Sequence, residues 1–127
     1  MQTLTEQLQK GSMIKTVSNS NGTATKLPDG TMICKKTITF SNIAIAQKVG
    51  EVYQSAAQNL GNWAENFLET PDTVVATVNG GWAAWIYQHA NWNATSAGTA
   101  TLMRPTSAAA SADASYRISV IATGKWK

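Results

Sequence analysis

The stretch "TKLPDGTMICKKTITF", residues 25–40, decides the fold of this 127-residue chain. Pro28, Asp29 and Gly30 stand between two extended runs, where proline presets φ and Asp-Gly tolerates the positive φ of a tight turn. The side chains of the second run alternate between two faces, and one face carries Met32, Cys34, Lys36, Ile38 and Phe40. An alternation of period two is typical of a strand. The stretch therefore predicts a β-hairpin whose second strand has one buried face.

The C-terminal run "YRISVIATGKW", residues 116–126, alternates in the same way. One of its faces carries Tyr116, Ile118, Val120 and Ala122. Two further runs, residues 72–79 and 98–103, are rich in Val, Thr and Ala and also predict strands. Short strands without a long helix between them favour an all-β fold. We expect an antiparallel β-sandwich of about six strands.

The run "WAAWIYQHANW", residues 82–92, follows the Gly80-Gly81 pair. Two glycines between β-type runs are typical of a hairpin turn. We therefore expect residues 72–79 and 82–92 to pair with each other. Residues 41–63 show no sustained alternation and predict less regular structure.

The N-terminal segment predicts a different organisation. Leu4 and Leu8 have the four-residue spacing of a short amphipathic helix within residues 1–10, and "SNSNGT", residues 18–23, has the composition of a turn. One or two helical turns are not stable alone in water, so the segment would either fray or associate with copies of itself. We divide the chain into an N-terminal segment or linker, residues 1–24, and a β-sandwich domain, residues 25–127.

Charged residues make up only 13% of the chain, about half the usual share. The net charge of +3 comes from scattered lysines, with arginine only at Arg104 and Arg117, so we expect no nucleic-acid partner. The N-terminus lacks the apolar region of a signal peptide, and no apolar run reaches the roughly 18 residues that span a bilayer. We therefore expect synthesis in a cytoplasm, no secretion by signal peptide and no membrane insertion.

The sequence predicts neither an enzyme nor a metal or cofactor site. Cys34 is the single cysteine, so it forms no intrachain disulfide, and its apolar surroundings predict a buried, inert thiol. His89 has no acidic residue near it in the sequence, and no phosphate-binding loop, metal motif or nucleophile elbow is present. An ion on a three-fold axis, bound by symmetry copies, is left open.

Residues 79–98 contain three of the five tryptophans, one of the three tyrosines and the only histidine. Alternation places Trp85, Tyr87 and His89 on one face and Trp82 with Trp92 on the other, and neither face is plainly polar. Such a run indicates burial on both sides, within the sandwich and between subunits, and we favour this interpretation for Trp82 and Trp85. The alternative is that Tyr87, His89 and Trp92 stack on a sugar, and for Trp92 and His89 it stands nearly even with a place in the core or an interface.

Four segments together resemble the C-terminal receptor-binding domain of bacteriophage tail-fibre and minor structural proteins. They are "LPDGTMICKKTITFSN" (27–42), "LGNWAENFLETP" (60–71), "WNATSAGTATLMRP" (92–105) and "ISVIATGKWK" (118–127). That domain is similar to the H-type lectin fold, a trimeric six-stranded sandwich, and the resemblance covers residues 26–127. It implies a homotrimer on a tail appendage of the virion that attaches to host-surface glycan and associates with other tail proteins.

The sugar site of galactose-binding H-type lectins does not transfer to this chain. Those lectins carry an aromatic residue and a histidine in the hairpin before the last strand, where this chain has "TSAAASADAS", residues 106–115. Because the chain has few charges and many Trp, Tyr and Asn residues, aromatic and amide side chains are the better candidates for glycan contacts. The candidates are Tyr53, Trp63, His89, Asn91, Trp92 and Arg104.

Each candidate also has a structural interpretation. Tyr53 and Trp63 could cap an open end of the sandwich, and Arg104 could tie a loop or an interface. The alternative function for the whole domain is a structural trimerisation or decoration module of the virion or baseplate without sugar binding. A glycan hydrolase ranks last because no pair of carboxylates is visible in the sequence.

Overall fold

The computed structural model describes residues 13–80, 83–111 and 115–127, which form ten strands and no helix. The strands are β1 (Lys15–Asn19), β2 (Gly22–Lys26), β3 (Thr31–Ser41), β4 (Gln47–Val49), β5 (Val52–Gln54), β6 (Gln58–Asn59), β7 (Thr73–Gly80), β8 (Trp85–Gln88), β9 (Thr99–Arg104) and β10 (Ser115–Lys125). The helix expected within residues 1–10 lies outside the described residues. In the part that is described, no helix could cross a membrane.

The first sheet has the strand order β1-β2-β3-β10-β7 and is antiparallel throughout. The predicted turn at Pro28–Gly30 is confirmed, since it joins β2 to β3 and Gly30 has a φ of 98°. The backbone N–H of Thr31 donates to Oδ1 of Asp29 at 2.9 Å, which lowers the pKa of that carboxyl. Asp29 therefore closes the turn as an ionised acceptor.

The long strands β3 and β10 pair along their whole length, from Ser115 opposite Ser41 to Lys125 opposite Thr31. The predicted inner faces are confirmed, because the alternating residues of both strands are buried or half-buried: Met32, Cys34, Lys36, Ile38, Phe40, Tyr116, Ile118, Val120 and Ala122. The opposite face of the sheet carries mainly Thr, Ser, Lys and Arg side chains. The first sheet thus has one apolar and one largely polar face.

The second sheet has the order β4-β5-β9-β6, with β8 on the opposite side of β9. Met103 of β9 pairs with Gln54 on one side and with Trp85 on the other. Three of these strands, β4, β5 and β6, lie in the segment that showed no alternation. Strands of two or three residues are too short to show a period, and the pairing of β5 and β6 with β9 is long-range, so the sequence did not predict them.

The predicted hairpin between residues 72–79 and 82–92 is wrong. Strand β7 pairs with β10 in the first sheet, whereas β8 pairs with β9 in the second. Since β10 supplies eight partners to β7 in continuous register, from Gly80 to Thr73, the long C-terminal strand replaces the nearer run as the partner. The chain therefore changes sheets between β7 and β8.

One side chain still joins these two strands. The Gln88 Oε1 atom accepts the N–H of Ala76 at 3.0 Å, and its Nε2 donates to the carbonyl oxygen of Val74 at 3.3 Å. One edge of β7 pairs with β10. On the other edge, the side chain of Gln88 provides hydrogen-bond partners for the backbone in place of a neighbouring strand. Gln88 links the two sheets.

The core lies between the sheets and confirms the expected all-β sandwich. Residues from the inner faces meet those of the connecting loops, and the fully buried large side chains are Tyr116, Met32, Ile45, Leu60, Leu102, Ile118, Val120 and Cys34. The β structure begins at Lys15, inside the segment assigned to the linker, because β1 and β2 form a hairpin around the predicted turn at residues 18–23. The division into domains stays a prediction.

Candidate functional site

Three side chains form a row on the outer face of the second sheet, which we call the aromatic row: Trp85, Tyr87 and His89. Trp85 and Tyr87 belong to β8, and 42% and 60% of their surfaces are exposed. The intervening Ile86 packs against the core instead. Because alternate residues of a strand point to opposite faces, this burial pattern confirms the predicted alternation. Two large aromatic side chains are therefore exposed on the surface of the isolated chain.

His89 is held in place by two threonines of β9. Its Nδ1 lies 2.7 Å from Oγ1 of Thr99, and its Nε2 lies 3.0 Å from Oγ1 of Thr101. The Tyr87 ring lies against the imidazole, with 5.4 Å between the ring centroids and 60° between the planes. One ring nitrogen donates and the other accepts in a neutral imidazole, and a hydroxyl can play either part. The histidine is thus a fixed polar end of the aromatic row.

The loop between β8 and β9 positions Asn91 beside His89. Asn91 accepts the backbone N–H of Thr99 through Oδ1 and donates through Nδ2 to Oγ1 of the same residue, both at 3.0 Å. Gly98 has a φ of 80°, and a Cβ at this position would lie 2.5 Å from Oδ1 of Asn91. The glycine therefore allows the close approach that fixes the amide. Asn91, His89 and Thr99 form one hydrogen-bonded cluster.

Two predicted candidates take part in the core. Trp63 is 3% exposed, its Nε1 donates to the carbonyl oxygen of Asn93 at 3.0 Å, and its ring meets Phe67 edge-on at 5.7 Å. Trp92 is half-buried and packs against the core cluster. A ligand on the surface would not contact the ring of Trp63, whereas Trp92 keeps an exposed part.

The remaining candidates, Tyr53 and Arg104, are paired residues of β5 and β9. Tyr53 is half-buried against the core. Arg104 is 9% exposed, and its Nη1 donates to the hydroxyl oxygen of Tyr116 at 3.3 Å. Since Tyr116 belongs to the first sheet, this contact ties the two sheets together. The structure thus brings His89 and Asn91 together at the surface and separates them from Tyr53 and Arg104.

Two surface grooves lie outside the aromatic row. One, of about 590 Å³, is lined by residues 40–44 and 46–47 with Gln54, Ala56 and Gln58, and we call it the amide groove. The other, of about 600 Å³, is lined by residues 19–22, 36–39 and 59–61, and we call it the lysine groove. The amide groove contains no charged side chain, whereas the lysine groove contains Lys36. The two grooves therefore suit different ligands.

The sequence pattern favours the core or an interface for Trp85. It allows Tyr87 to stack on a sugar without making it one of the six candidates, and Lys36 is not among the predicted site residues. The signal for Lys36 was present, since a lysine stood in the apolar phase of the alternating strand β3. The exposure of Trp85 and Tyr87 depends on which face of β8 meets the core, and alternation leaves that choice open. Trp82 lies outside the described residues.

The described residues hold no group of three or more His, Cys, Asp and Glu side chains that could bind a metal ion. Cys34 is buried on the inner face of β3, as predicted, and burial raises the pKa of its thiol to about 11. A thiol with such a pKa stays protonated and is a poor nucleophile at neutral pH. Cys34 is therefore not a candidate nucleophile.

Comparison with known proteins identifies the fold through solved structures. No protein-family model matches the chain, and no curated protein matches it. The chain is similar to an N-truncated R1-type pyocin tail fibre, with a TM-score of 0.54, 14% identity and 98% of both chains covered. It is also similar to a C-terminal part of the Pseudomonas aeruginosa R1 pyocin fibre, with a TM-score of 0.52, 14% identity, and 98% of this chain and 32% of that chain covered. The fold of this chain is thus one found in pyocin tail fibres.

Proposed function

We propose that this chain is a non-catalytic receptor-binding domain of a phage or prophage tail fibre, and that it attaches as a homotrimer to a host cell-surface glycan. The single observation that carries the proposal is the exposed aromatic row, which ends at the hydrogen-bonded cluster of Asn91, His89 and Thr99. The likeness to pyocin tail fibres over the whole length of the domain supports the placement on a tail appendage, where other tail proteins would be its neighbours.

The chemistry of the aromatic row suits a saccharide. Aromatic rings stack on the apolar face of a sugar, and a few fixed polar groups then set its orientation. Trp85 and Tyr87 provide the rings, while the cluster of His89 and Asn91 provides polar atoms that are already held by Thr99. Held side chains lose little conformational entropy when a ligand binds.

The trimer is part of the proposal and is supported by a second exposed patch. Val75 and Ile121 are neighbours in register on the outer face of the first sheet, and each is about half exposed. A closed three-fold arrangement could bury this pair while the aromatic row of the other sheet stays accessible. Three weak sites on one particle would then act together through avidity.

A structural trimerisation module is the alternative, and the same aromatic row supports it. Exposed Trp and Tyr side chains are also frequent in subunit interfaces. In that case the row would be covered in the trimer, and no surface for a sugar would remain there. The two functions therefore differ in what the loss of one ring would do.

The substitution Tyr87→Ala separates them. We expect the variant to remain trimeric by light scattering and to keep its melting temperature, while binding to host cells falls by about tenfold or more because stacking is lost. Leu68→Ala is the matched control, since Leu68 is similarly exposed, at 64%, but lies outside the second sheet. Dissociation of Tyr87→Ala into monomers would support the structural module instead.

A hydrolase is tested in the same preparation. His89 is bonded to threonine hydroxyls rather than to a carboxylate, which supports a binding role. We expect no release of reducing ends from host polysaccharide during binding. Release by the wild-type protein, lost in a His89→Ala variant, would contradict the non-catalytic assignment.

A further inference from the structure

The feature that the proposed function leaves unexplained is Lys36, a lysine on the inner face of β3. It lies between Cys34 and Ile38 in the alternation and pairs in register with Val120, which is fully buried. Lys36 itself is only 9% exposed, and desolvation lowers the pKa of its ammonium group. Burying a charged group costs free energy unless partners compensate for it. A buried lysine at this position therefore lowers the stability of the fold unless other groups compensate for its charge.

The partners found for this ammonium group do not neutralise it. Its Nζ donates to the carbonyl oxygen of Asn62 at 2.7 Å. Within the described ranges, the one ion pair joins Lys26 to Glu65, and no carboxylate lies within ion-pairing distance of Lys36. An ammonium group carries three donors, so further hydrogen bonds are available. The ammonium group of Lys36 is therefore buried without an anionic partner among the described residues.

The lysine groove gives access to this charge. The groove is lined by β3 from Lys36 to Thr39, by the β1–β2 turn and by residues 59–61. Gly61 has a φ of 80°, and a Cβ there would lie 3.0 Å from Nζ of Lys36. The absence of a side chain at residue 61 keeps space beside the ammonium group, which is where an anionic ligand would have to enter.

The walls of the groove add neutral hydrogen-bonding groups. The Oδ1 atom of Asn59 accepts the N–H of Gly61 at 2.8 Å, which fixes this side chain and leaves its two amide N–H groups without a bond to any described residue. Asn21, in the β1–β2 turn, is also part of the lining and donates its backbone N–H to Oδ1 of Asn19 at 2.9 Å. Thr37 and Thr39 also line the groove. Amide groups such as those of Asn59 and Asn21 bind sugar hydroxyls.

We propose that the lysine groove binds an oxyanion carried by a saccharide, with the Lys36 ammonium group as its counter-charge and Asn59 as a hydrogen-bond donor to the sugar. The oxyanion is the carboxylate of a sugar acid or the phosphate of a phosphorylated polymer, since both accept charge-assisted hydrogen bonds from an ammonium group. The choice of a saccharide rests on the proposed function, while the choice of an anion rests on Lys36 alone. The groove is thus a second contact point, separate from the aromatic row.

The test is a titration of the wild-type protein, followed by NMR, with three probes: methyl glucuronide, glycerol 3-phosphate and methyl glucoside. We expect the anionic probes to shift the amide signals of Gly22, Thr37 and Gly61, and the neutral glucoside to leave them unchanged. The anion that binds more tightly identifies the carboxylate or the phosphate as the natural group. Equal shifts with the neutral glucoside, or no shifts in the groove, would overturn the inference.

Lys36→Met removes the charge and keeps an unbranched apolar side chain, and Lys35→Met is its control on the exposed face of the same strand. We expect Lys36→Met to weaken binding of the anionic probe by roughly tenfold or more. Lys35→Met should bind as the wild-type does, and an equal loss in both variants would overturn the assignment to Lys36. If Lys36→Met fails to fold, Lys36→Arg replaces it and should retain binding of the anion, and loss of binding in folded Lys36→Arg would also count against the proposal.

The inference and the proposed function fail in different ways. If the protein binds host cells and the groove ignores both anions, the inference is wrong and the receptor-binding function stands. If the groove binds an anionic probe and Tyr87→Ala leaves cell binding unchanged, the oxyanion site stands and the role of the aromatic row is wrong.

Discussion

The two sheets of the sandwich are built in different ways. In the first sheet, β3 and β10 each have eleven residues and pair without interruption, and the outer face is mainly polar. In the second sheet the strands have two to six residues, and the outer face carries Trp85 and Tyr87. The sheet with the long, regular strands thus has a mainly polar outer face, and the sheet with the short strands has aromatic side chains on its outer face.

The two sheets therefore have different structural roles within one small domain. A long, regular pair of strands buries a continuous apolar face and holds the shape. Short strands joined by loops can present side chains such as His89 and Asn91 in fixed positions on that support, as binding residues commonly are. The lysine groove lies where the two parts meet, between β3 and residues 59–61.

The largest contrast should appear in amide hydrogen exchange. We expect amides in the paired centre of β3 and β10 to exchange at least about 100-fold more slowly than those of β4, because β4 is exposed throughout and pairs with β5 over only three residues at the edge of the second sheet. Exchange measured residue by residue by NMR checks this. Equal protection of the two sets would show that the sandwich opens as one unit and would break the comparison.

The faces of β10 should differ next. Ile118 is fully buried, so Ile118→Ala should lower the free energy of unfolding by about 2–5 kcal/mol through lost burial and a cavity. Ile121→Ala, on the opposite face and 47% exposed, should cost less than about 0.5 kcal/mol in the monomer. Urea denaturation measures both. A further loss in Ile121→Ala that depends on protein concentration would come from the subunit contact proposed for Val75 and Ile121, whereas a loss as large as that of Ile118→Ala at every concentration would contradict the comparison.

The inner face of the first sheet should also respond to pH through Cys34. Its thiol has a pKa near 9 when unfolded and about 11 when folded, so the folded state keeps the proton. The stability from this group is complete below pH 9 and is lost as the pH rises to 11, by about 2–3 kcal/mol. We expect the unfolding free energy of Cys34→Ala to fall less over this range than that of the wild type. Parallel curves for the two proteins would show that burial does not hold the proton.

The smallest effect concerns the link between the sheets. Gln88→Ala removes the bonds to Ala76 and Val74 and should cost about 1–2 kcal/mol, because water can replace part of the lost partners at this edge. Gln54→Ala, which loses an exposed bond to Gln47, is the control and should be close to neutral. If both substitutions are neutral, Gln88 does not hold the two sheets together.

Much of the first sheet could be predicted from the sequence, and little of the second. The Pro28–Gly30 turn and the alternation in β3 and β10 are local signals, and they gave the hairpin, the inner faces and the buried Cys34 correctly. The partner of β7 could not be predicted, because the neighbouring run 82–92 and the distant β10 offer the same β-type pattern. Strands β4, β5 and β6 carried no readable period at all.

The candidate site was predicted in part. The aromatic segment pointed to the right region of the chain, and His89 and Asn91 do lie together at the surface, but their role in binding stays a prediction. Trp63 and Arg104 offered the same aromatic and cationic chemistry and lie buried, which residue type alone does not reveal.

The sequence by itself determined the all-β class, the turn at Pro28–Gly30 and which residues share a face of β3, β8 and β10, because these follow from backbone preferences and a period of two. Only the tertiary structure decided which strands pair and which face of β8 turns outward. Those choices depend on which arrangement buries the most apolar surface between residues far apart in the chain. The total buried area is a property of the whole fold and not of any one segment. The same packing left Trp85 and Tyr87 exposed and enclosed Lys36 beside an open groove.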